Sequence, residues 1–399
     1  MILRRTVFIV GLFLFSACSP KVNKLNPVGP KSQAPHTELP AKRFTVANIS
    51  LLIPFKLNQF DLDRVNKAQL EKADMALDFY QGVMLGLDSA SATGLNFNVN
   101  VFDTRDENGQ LATLFKKESI QASNLIIGPV FPEGVKYFSN FSLVHNIPVV
   151  SPLAASKPGE FNNPKLISIV NNIDQHGEKI ADYIASHFAE RAAIVVLINP
   201  KKTADEQFAA PIRNRMKTKY PNFVLQEFSN TGEFERRMIK GKKYAVVVCS
   251  AEPSFVASSI DKLYKLRNLK SGGYEIDLFG HPNWIKQNYK IEQLQGLGTI
   301  ISTSYKIDYK SEGVIDFIKK YRAKYHFEPS EYSFKGFDIG FYFARLLAKH
   351  GPNFLEYLTK DDYRGLHNRF SFAYHPKYGY FNQELMLLRY QNLSLNLID

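Results

Sequence analysis

Cysteine is scarce in this 399-residue chain: Cys18 and Cys249 are the only two. Paired Cys-x-x-Cys is therefore absent, and with it the thiolate pairs of redox and zinc motifs. Other signatures are missing as well. The chain contains no phosphate-binding P-loop, no His-Glu-x-x-His and no Gly-x-Ser-x-Gly. Gly128-Pro129 lacks the further glycines of a dinucleotide fingerprint, and His145, His281 and His375 lie too far apart to suggest a metal-ligand set. Asp106-Glu-Asn108-Gly109 has the flavour of a calcium loop, but Thr104 stands where the first ligand belongs, so a polar turn is expected there. Catalysis, a metal and a cofactor are accordingly not expected. No arginine-rich stripe or nucleic-acid motif accompanies the formal charge of +12, so nucleic acid is not an expected partner.

Long apolar runs are also lacking, and the longest near the start, Val7–Phe15, is too short to span a bilayer permanently. It follows Arg4 and Arg5 and precedes Ser16-Ala17-Cys18, the layout of a secretory signal peptide. The segment resembles a lipobox, with Phe15 where leucine is usual. That likeness implies a signal peptide over 1–18, acylation of Cys18 and a lipid anchor to the membrane. Five prolines (Pro20, Pro27, Pro30, Pro35 and Pro40) then interrupt residues 19–45, as in an extended tether. With Cys18 acylated, Cys249 has no partner for a disulfide. Its setting, Tyr244-Ala-Val-Val-Val-Cys249, reads as a buried strand, and the thiol as a small core group. The surplus of positive charge suits solubility, and also an anionic envelope surface.

The remainder, 46–399, is long enough for two lobes, each with its own core. Hydrophobic content of 45% and charged content of 22% are those of a globular protein. Apolar runs at 46–55, 124–129 and 147–152, and later at 192–200, 223–228, 244–249 and 276–280, read as strands, as does 96–102, which alternates. Helical periodicity lies between them, over 68–91, 133–144, 174–189, 204–219, 232–240 and 253–267. Near-continuous apolar strands separated by helices predict parallel sheets covered on both faces. Strand 299–305 and helices 311–325 and 332–349 follow. The stretches 369–374 and 384–390 read as a closing hairpin-like pair joined by 375–383, with Gly379 in the turn.

Several pieces, in this order, resemble the type I periplasmic binding-protein fold of leucine-binding proteins. They are Ile49-Ser-Leu-Leu-Ile-Pro-Phe55, Phe79-Tyr-Gln-Gly82, Val101-Phe-Asp-Thr104, Leu125-Ile-Ile-Gly-Pro129, Ile147-Pro-Val-Val-Ser-Pro152, Pro329-Ser-Glu-Tyr332 and Gly336-Phe-Asp338. The wording is nearest to envelope proteins in which this domain accompanies a peptidoglycan-binding LysM module, although no LysM-like segment is found here. The fold also resembles a domain of lipoprotein activators of penicillin-binding proteins. The resemblance implies an α/β fold of two doubly wound parallel-sheet lobes with a hinge. Lobe one is expected over about 46–166 plus 299–352, and lobe two over about 167–298 plus 353–399.

Clefts in such sheets form beyond the carboxyl ends of the strands. The loops there nominate Phe55, Phe131, Ser151, Ser156, Glu252, His281 and Trp284 as ligand-binding residues. Each also has a plain structural role open to it: Trp284 as a cap on the lobe core, Glu252 at a helix N-terminus, Ser151 in a turn. Amino-acid-binding relatives hold their ligand with hydroxyls that Val130-Phe-Pro-Glu133 and Leu153-Ala-Ala155 do not offer, and a zwitterion stripped of water there would lose hydrogen bonds. The expectation is an envelope lipoprotein, anchored in the outer membrane facing the periplasm. It binds a small solute for an ABC permease or for sensing. The alternative is an interaction module of the same fold that regulates a peptidoglycan-synthesis enzyme.

Overall fold

The computed structural model describes residues 44–59, 67–92, 94–189, 192–270 and 272–398. Cys18, the signal peptide and the tether up to residue 43 lie outside the described residues.

The apolar runs become short strands, buried on both faces in the middle of each sheet and half-exposed at the edges, as in β2 and β7 below. In chain order they are β1 Val46–Ile53, β2 Asn96–Asp103, β3 Leu125–Ile127, β4 Val149–Ser151 and β5 Leu166–Ser168. Then come β6 Ile194–Ile198, β7 Leu225–Phe228, β8 Lys243–Val248, β9 Glu275–Gly280 and β10 Ile300–Thr303. The end of the chain adds β11 Tyr363–Arg364, β12 Arg369–Phe370, β13 Phe372–His375, β14 Gly379–Asn382, β15 Met386–Gln391 and β16 Ser394–Leu397. One seven-stranded sheet runs β13-β14-β5-β4-β3-β1-β2, and the other runs β16-β15-β10-β9-β8-β6-β7. Each is parallel through its first five strands, which carry the same winding order. Strands from the C-terminal region extend each sheet, β13 antiparallel at the edge of one and β15 and β16 antiparallel in the other, so the sheets are mixed rather than purely parallel. Apolar clusters cover both faces of each sheet, as the unbroken hydrophobic strands require.

The predicted helices are present with small shifts at their ends, such as Ile173–Phe188 and Pro253–Arg267. The stretch expected as a helix over 232–240 stops at Glu235. Beyond it the Tyr244 hydroxyl engages the Ile239 N–H at 2.7 Å, a group that a continuing helix would have bonded internally.

The C-terminal pairing differs from the expected one. Residues 369–374 and 384–390 do not pair with each other. Gly379, at φ +83°, turns the chain so that β14 pairs back on β13 and lies parallel to β5; a Cβ there would stand 2.3 Å from the Leu166 carbonyl oxygen. β15 instead joins β10 in the other sheet. The lobe boundaries move accordingly. Residues 300–303, expected in lobe one, belong to the second sheet, and 372–382, expected in lobe two, belong to the first. Among the described residues, the chain passes between the sheets three times: after β5, after β10 and after β14.

Lobe one is organised around a pair of helices, Lys67–Ser91 and Glu331–His350. They touch backbone to backbone. A Cβ on Gly82 would lie 2.0 Å from the Ser333 carbonyl oxygen, one on Gly336 2.2 Å from that of Phe79, and one on Gly340 2.6 Å from that of Val83.

Candidate functional site

The sheet order reverses between β1 and β3, and again between β6 and β8, and loops beyond the ends of β3, β4 and β9 face a common cavity. Between the lobes lies a cavity of about 700 Å³. Lobe one contributes the loops 130–132 and 152–155 together with Tyr332 and Lys335. Lobe two contributes His176, Asp205 and the segment after β9, and the crossing strands add Asn171, Thr303, Ser304 and Tyr305.

Two of the seven nominated residues line this cavity, Phe131 and His281. Phe131 stands at the N-terminus of helix Pro132–His145, after the tight Gly128-Pro129 turn. Gly128 has φ +101° there, and a Cβ would lie 2.1 Å from the Leu52 carbonyl oxygen. His281 sits edge-on to Phe208, and its Nδ1 accepts the Asn283 N–H at 3.1 Å. Burial pushes its pKa down to about 4.

The other five do not line it, and Phe55, Glu252 and Trp284 are held by local partners instead. Phe55 packs edge-on against Tyr80, at 6.0 Å between centroids, in a loop whose Lys56 and Leu57 N–H groups donate to the Asp103 carboxylate at 3.1 and 3.0 Å. Ser151 is buried at the end of β4, its hydroxyl without a hydrogen-bond partner among the described residues. Ser156 is half-buried, further along the 152–155 loop. Glu252 caps helix Pro253–Arg267, accepting the N–H groups of Phe255 at 2.8 Å and Ser254 at 3.1 Å, and these bonds hold its carboxyl below the usual range. Trp284 is fully buried, donates Nε1–H to the Ser250 carbonyl at 2.9 Å, and packs so closely under Gly280 that a Cβ there would meet the ring at 2.3 Å.

The loops nominated for the site leave out most of its polar groups. Lys335 is only 9% exposed, with Nζ 4.5 Å from the Tyr305 ring centroid and 4.8 Å from that of Tyr332. Burial lowers its pKa. Glu331 lies 3.6 Å from this ammonium, and 3.9 Å from that of Lys286 on the other lobe. Asp205 and Asn171 each turn a buried oxygen without a hydrogen-bond partner among the described residues. The signal available in the sequence was Tyr332 and Lys335 three apart on an otherwise apolar helix face, which places a lysine beside a ring.

The hinge is bonded across its crossings. His176 Nδ1 lies 3.0 Å from the Ser302 hydroxyl, and Asn171 Nδ2 donates to the Asn382 carbonyl at 2.9 Å. The His367 ring stacks on Tyr305 at 4.7 Å. Asp338, fully buried, accepts the N–H groups of Leu366, His367 and Asn368, each at 2.8 Å.

Burial lowers the pKa of His176 and His367 to about 3. With His281 these are three histidines kept neutral in the folded state. Below pH 6.5 the unfolded chain takes up protons at all three positions and the folded chain does not, so stability present above pH 6.5 is lost as pH falls toward the folded values. At pH 5 the loss is about 2 kcal/mol for each histidine. Asp338 acts in the opposite sense. Burial raises its pKa to about 6, which favours the folded state as pH falls through that value and offsets about one of the three. The urea midpoint is therefore expected to drop clearly between pH 7 and pH 5, and His281→Gln to flatten the drop. Equal midpoints at the two pH values would contradict neutral burial.

Neither a protein-family model nor a curated protein sequence matches the chain. Solved structures do. The ABC transporter substrate-binding protein from Desulfitobacterium hafniense in complex with Leu is similar at 14% identity and a TM-score of 0.55, with 88% of this chain and 100% of that one covered. The ABC transporter substrate-binding protein from Sphaerobacter thermophilus is similar at 15% and 0.54, covering 89% and 97%. The C-domain of LpoA from Haemophilus influenzae, a regulator of PBP1A, is similar at 14% and 0.56, covering 88% and 99%. At such identities the likeness speaks for the fold, which is the two-lobed type I periplasmic binding-protein fold.

Proposed function

We propose that this chain is an envelope-associated, non-enzymatic binding protein that takes a small solute into the cavity between its lobes, for delivery to an ABC permease or for sensing. The supporting observation is the cavity itself, about 700 Å³ and lined from both lobes, with polar side chains among apolar walls. Three bonded crossings suit hinge closure around such a ligand. Acylation of Cys18, with the body held at the outer membrane facing the periplasm, belongs to the same proposal. Cys18→Ser is then expected to move the protein from the membrane fraction to the soluble one.

The second reading, a regulator of peptidoglycan synthesis, draws support from the hydroxyl-free loops at Val130–Pro132 and Leu153–Ala155, and from the LpoA domain of the same fold. It calls for a filled cleft and a partner-binding face, and the open cavity favours the first reading. Thermal unfolding of residues 19–399 against amino acids, short peptides, sugars and muropeptide fragments separates the two. A ligand present at a hundred times its Kd adds about 2.7 kcal/mol, a readily visible rise in midpoint. Silence across the panel from well-folded protein would favour the regulator.

A further inference from the structure

We propose that the cavity selects solutes bearing an anionic group, with the Lys335 ammonium as its receptor in lobe one and the Lys286 ammonium closing on the same group from lobe two. The assignment rests on the solute-binding reading above. It starts from an imbalance of charge. Lys335 is nearly buried, and its ammonium carries three N–H donors that tyrosine faces can attract but cannot accept in full. The carboxylate beside it, Glu331, stands at 3.6 Å, beyond hydrogen-bond length, and shares itself with Lys286 at 3.9 Å. Two ammoniums from opposite lobes thus flank one carboxylate. A buried cation so loosely paired is unfavourable until a further anion reaches it.

The rest of the wall describes the remainder of the solute. Asp205, 4% exposed, and Asn171, 2% exposed, each present an acceptor oxygen that has no donor among the described residues. A buried acceptor gains most from an N–H or O–H brought in by the ligand. The loops Val130–Pro132 and Leu153–Ala155 offer no side-chain donor, which leaves Lys335 and Lys286 as the charged groups facing an anion. The solute is therefore a small anion with a hydroxyl- or amide-bearing body. A simple fatty acid would leave Asp205 and Asn171 unmatched.

The test is calorimetric titration of the full body with pairs matched in shape and differing in charge: N-acetylmuramate against N-acetylglucosamine, gluconate against sorbitol, glucose 6-phosphate against glucose, and N-acetylalanine against N-acetylalaninamide. At least one anionic member is expected to bind at least ~30-fold more tightly than its neutral partner. Which member does so separates carboxylate from phosphate. Lys335→Met is expected to weaken that anion by about 100-fold, Lys335→Arg to restore most of the affinity, and Lys286→Met, at an exposed position, to weaken it several-fold. Neutral members that bind as well as their anionic partners would overturn the proposal while leaving solute binding intact. So would anion affinity in Lys335→Met within about threefold of wild type. Should Lys335→Met not fold, the wild-type pairs and Lys286→Met decide. No binding by any of the eight compounds would overturn this assignment, and the wider unfolding panel above then decides the solute-binding reading.

Discussion

Gly336→Ala is expected to cost about 3 kcal/mol of stability, read as a lowered urea midpoint at unchanged slope. The added methyl would stand 2.2 Å from the Phe79 carbonyl oxygen, well inside contact distance. Overpacked side chains can rotate aside, and the usual penalty is then about 1–3 kcal/mol. Here the obstacle is backbone, on a helix clasped at Gly82, Gly86 and Gly340 as well, so relief requires separating two helices that form the centre of lobe one. Alanine is the better helix former by roughly 1 kcal/mol, which works against the effect and makes its sign informative. Gly109→Ala is the control. Gly109 lies in helix Asn108–Leu114 with nothing within 4 Å of a Cβ, so that variant should be neutral or slightly more stable. Wild-type stability in Gly336→Ala would mean that the two helices stand further apart than described.

Asp338→Ala is expected to cost about 3–5 kcal/mol, by a different mechanism. The stretch from Leu366 to Asn368 hangs its consecutive N–H groups on this one carboxylate, and the Tyr363 hydroxyl adds a donor at 3.3 Å. Alanine would leave three N–H groups without acceptors, those of His367 and Asn368 buried. Asparagine would restore only one oxygen and set its own amide against a donor, so Asp338→Asn should recover little. The damage should also reach the cavity. The Lys306 N–H donates to the His367 carbonyl at 3.0 Å, and His367 stacks on Tyr305, which lines the cavity. Hydrogen exchange at 366–368 should rise before global unfolding does. A midpoint within 0.5 kcal/mol of wild type, roughly the effect of an ordinary surface substitution, would sink the assignment of Asp338 as the anchor of this loop.

Both residues stood within the resembling piece Gly336-Phe-Asp338, yet their roles were not legible from it. The strands were legible where burial is two-sided: Ile194–Ile198 and Lys243–Val248 are almost unbroken apolar runs, because helices cover both their faces. β13 to β16 were harder to place. Strands of four to six residues have partners chosen by distant turns, and nothing in 384–390 says that it belongs beside β10 rather than beside 369–374. Strand-end logic points to Phe131 and His281, which line the cavity, because it locates loops. It missed Lys335 and Asp205 because each is displayed by the first turns of a helix, and the Lys335 helix takes its position from glycine contacts with a segment about 250 residues earlier in the chain. Glu252 and Phe55 were drawn off by nearby backbone N–H groups and a neighbouring ring, short-range partners that outcompete a role in the cavity.

The final crossings also set a timetable for the molecule's assembly. β14 lies against β5, and the Asn171–Asn382 bond spans 211 residues. β5 therefore has no outer neighbour until nearly the whole chain is available to fold. During that interval the first sheet has a raw edge, and the second cannot receive β15 either. Contacts this distant slow the closing step of folding, and until the last strands arrive that edge is open to pairing with another strand.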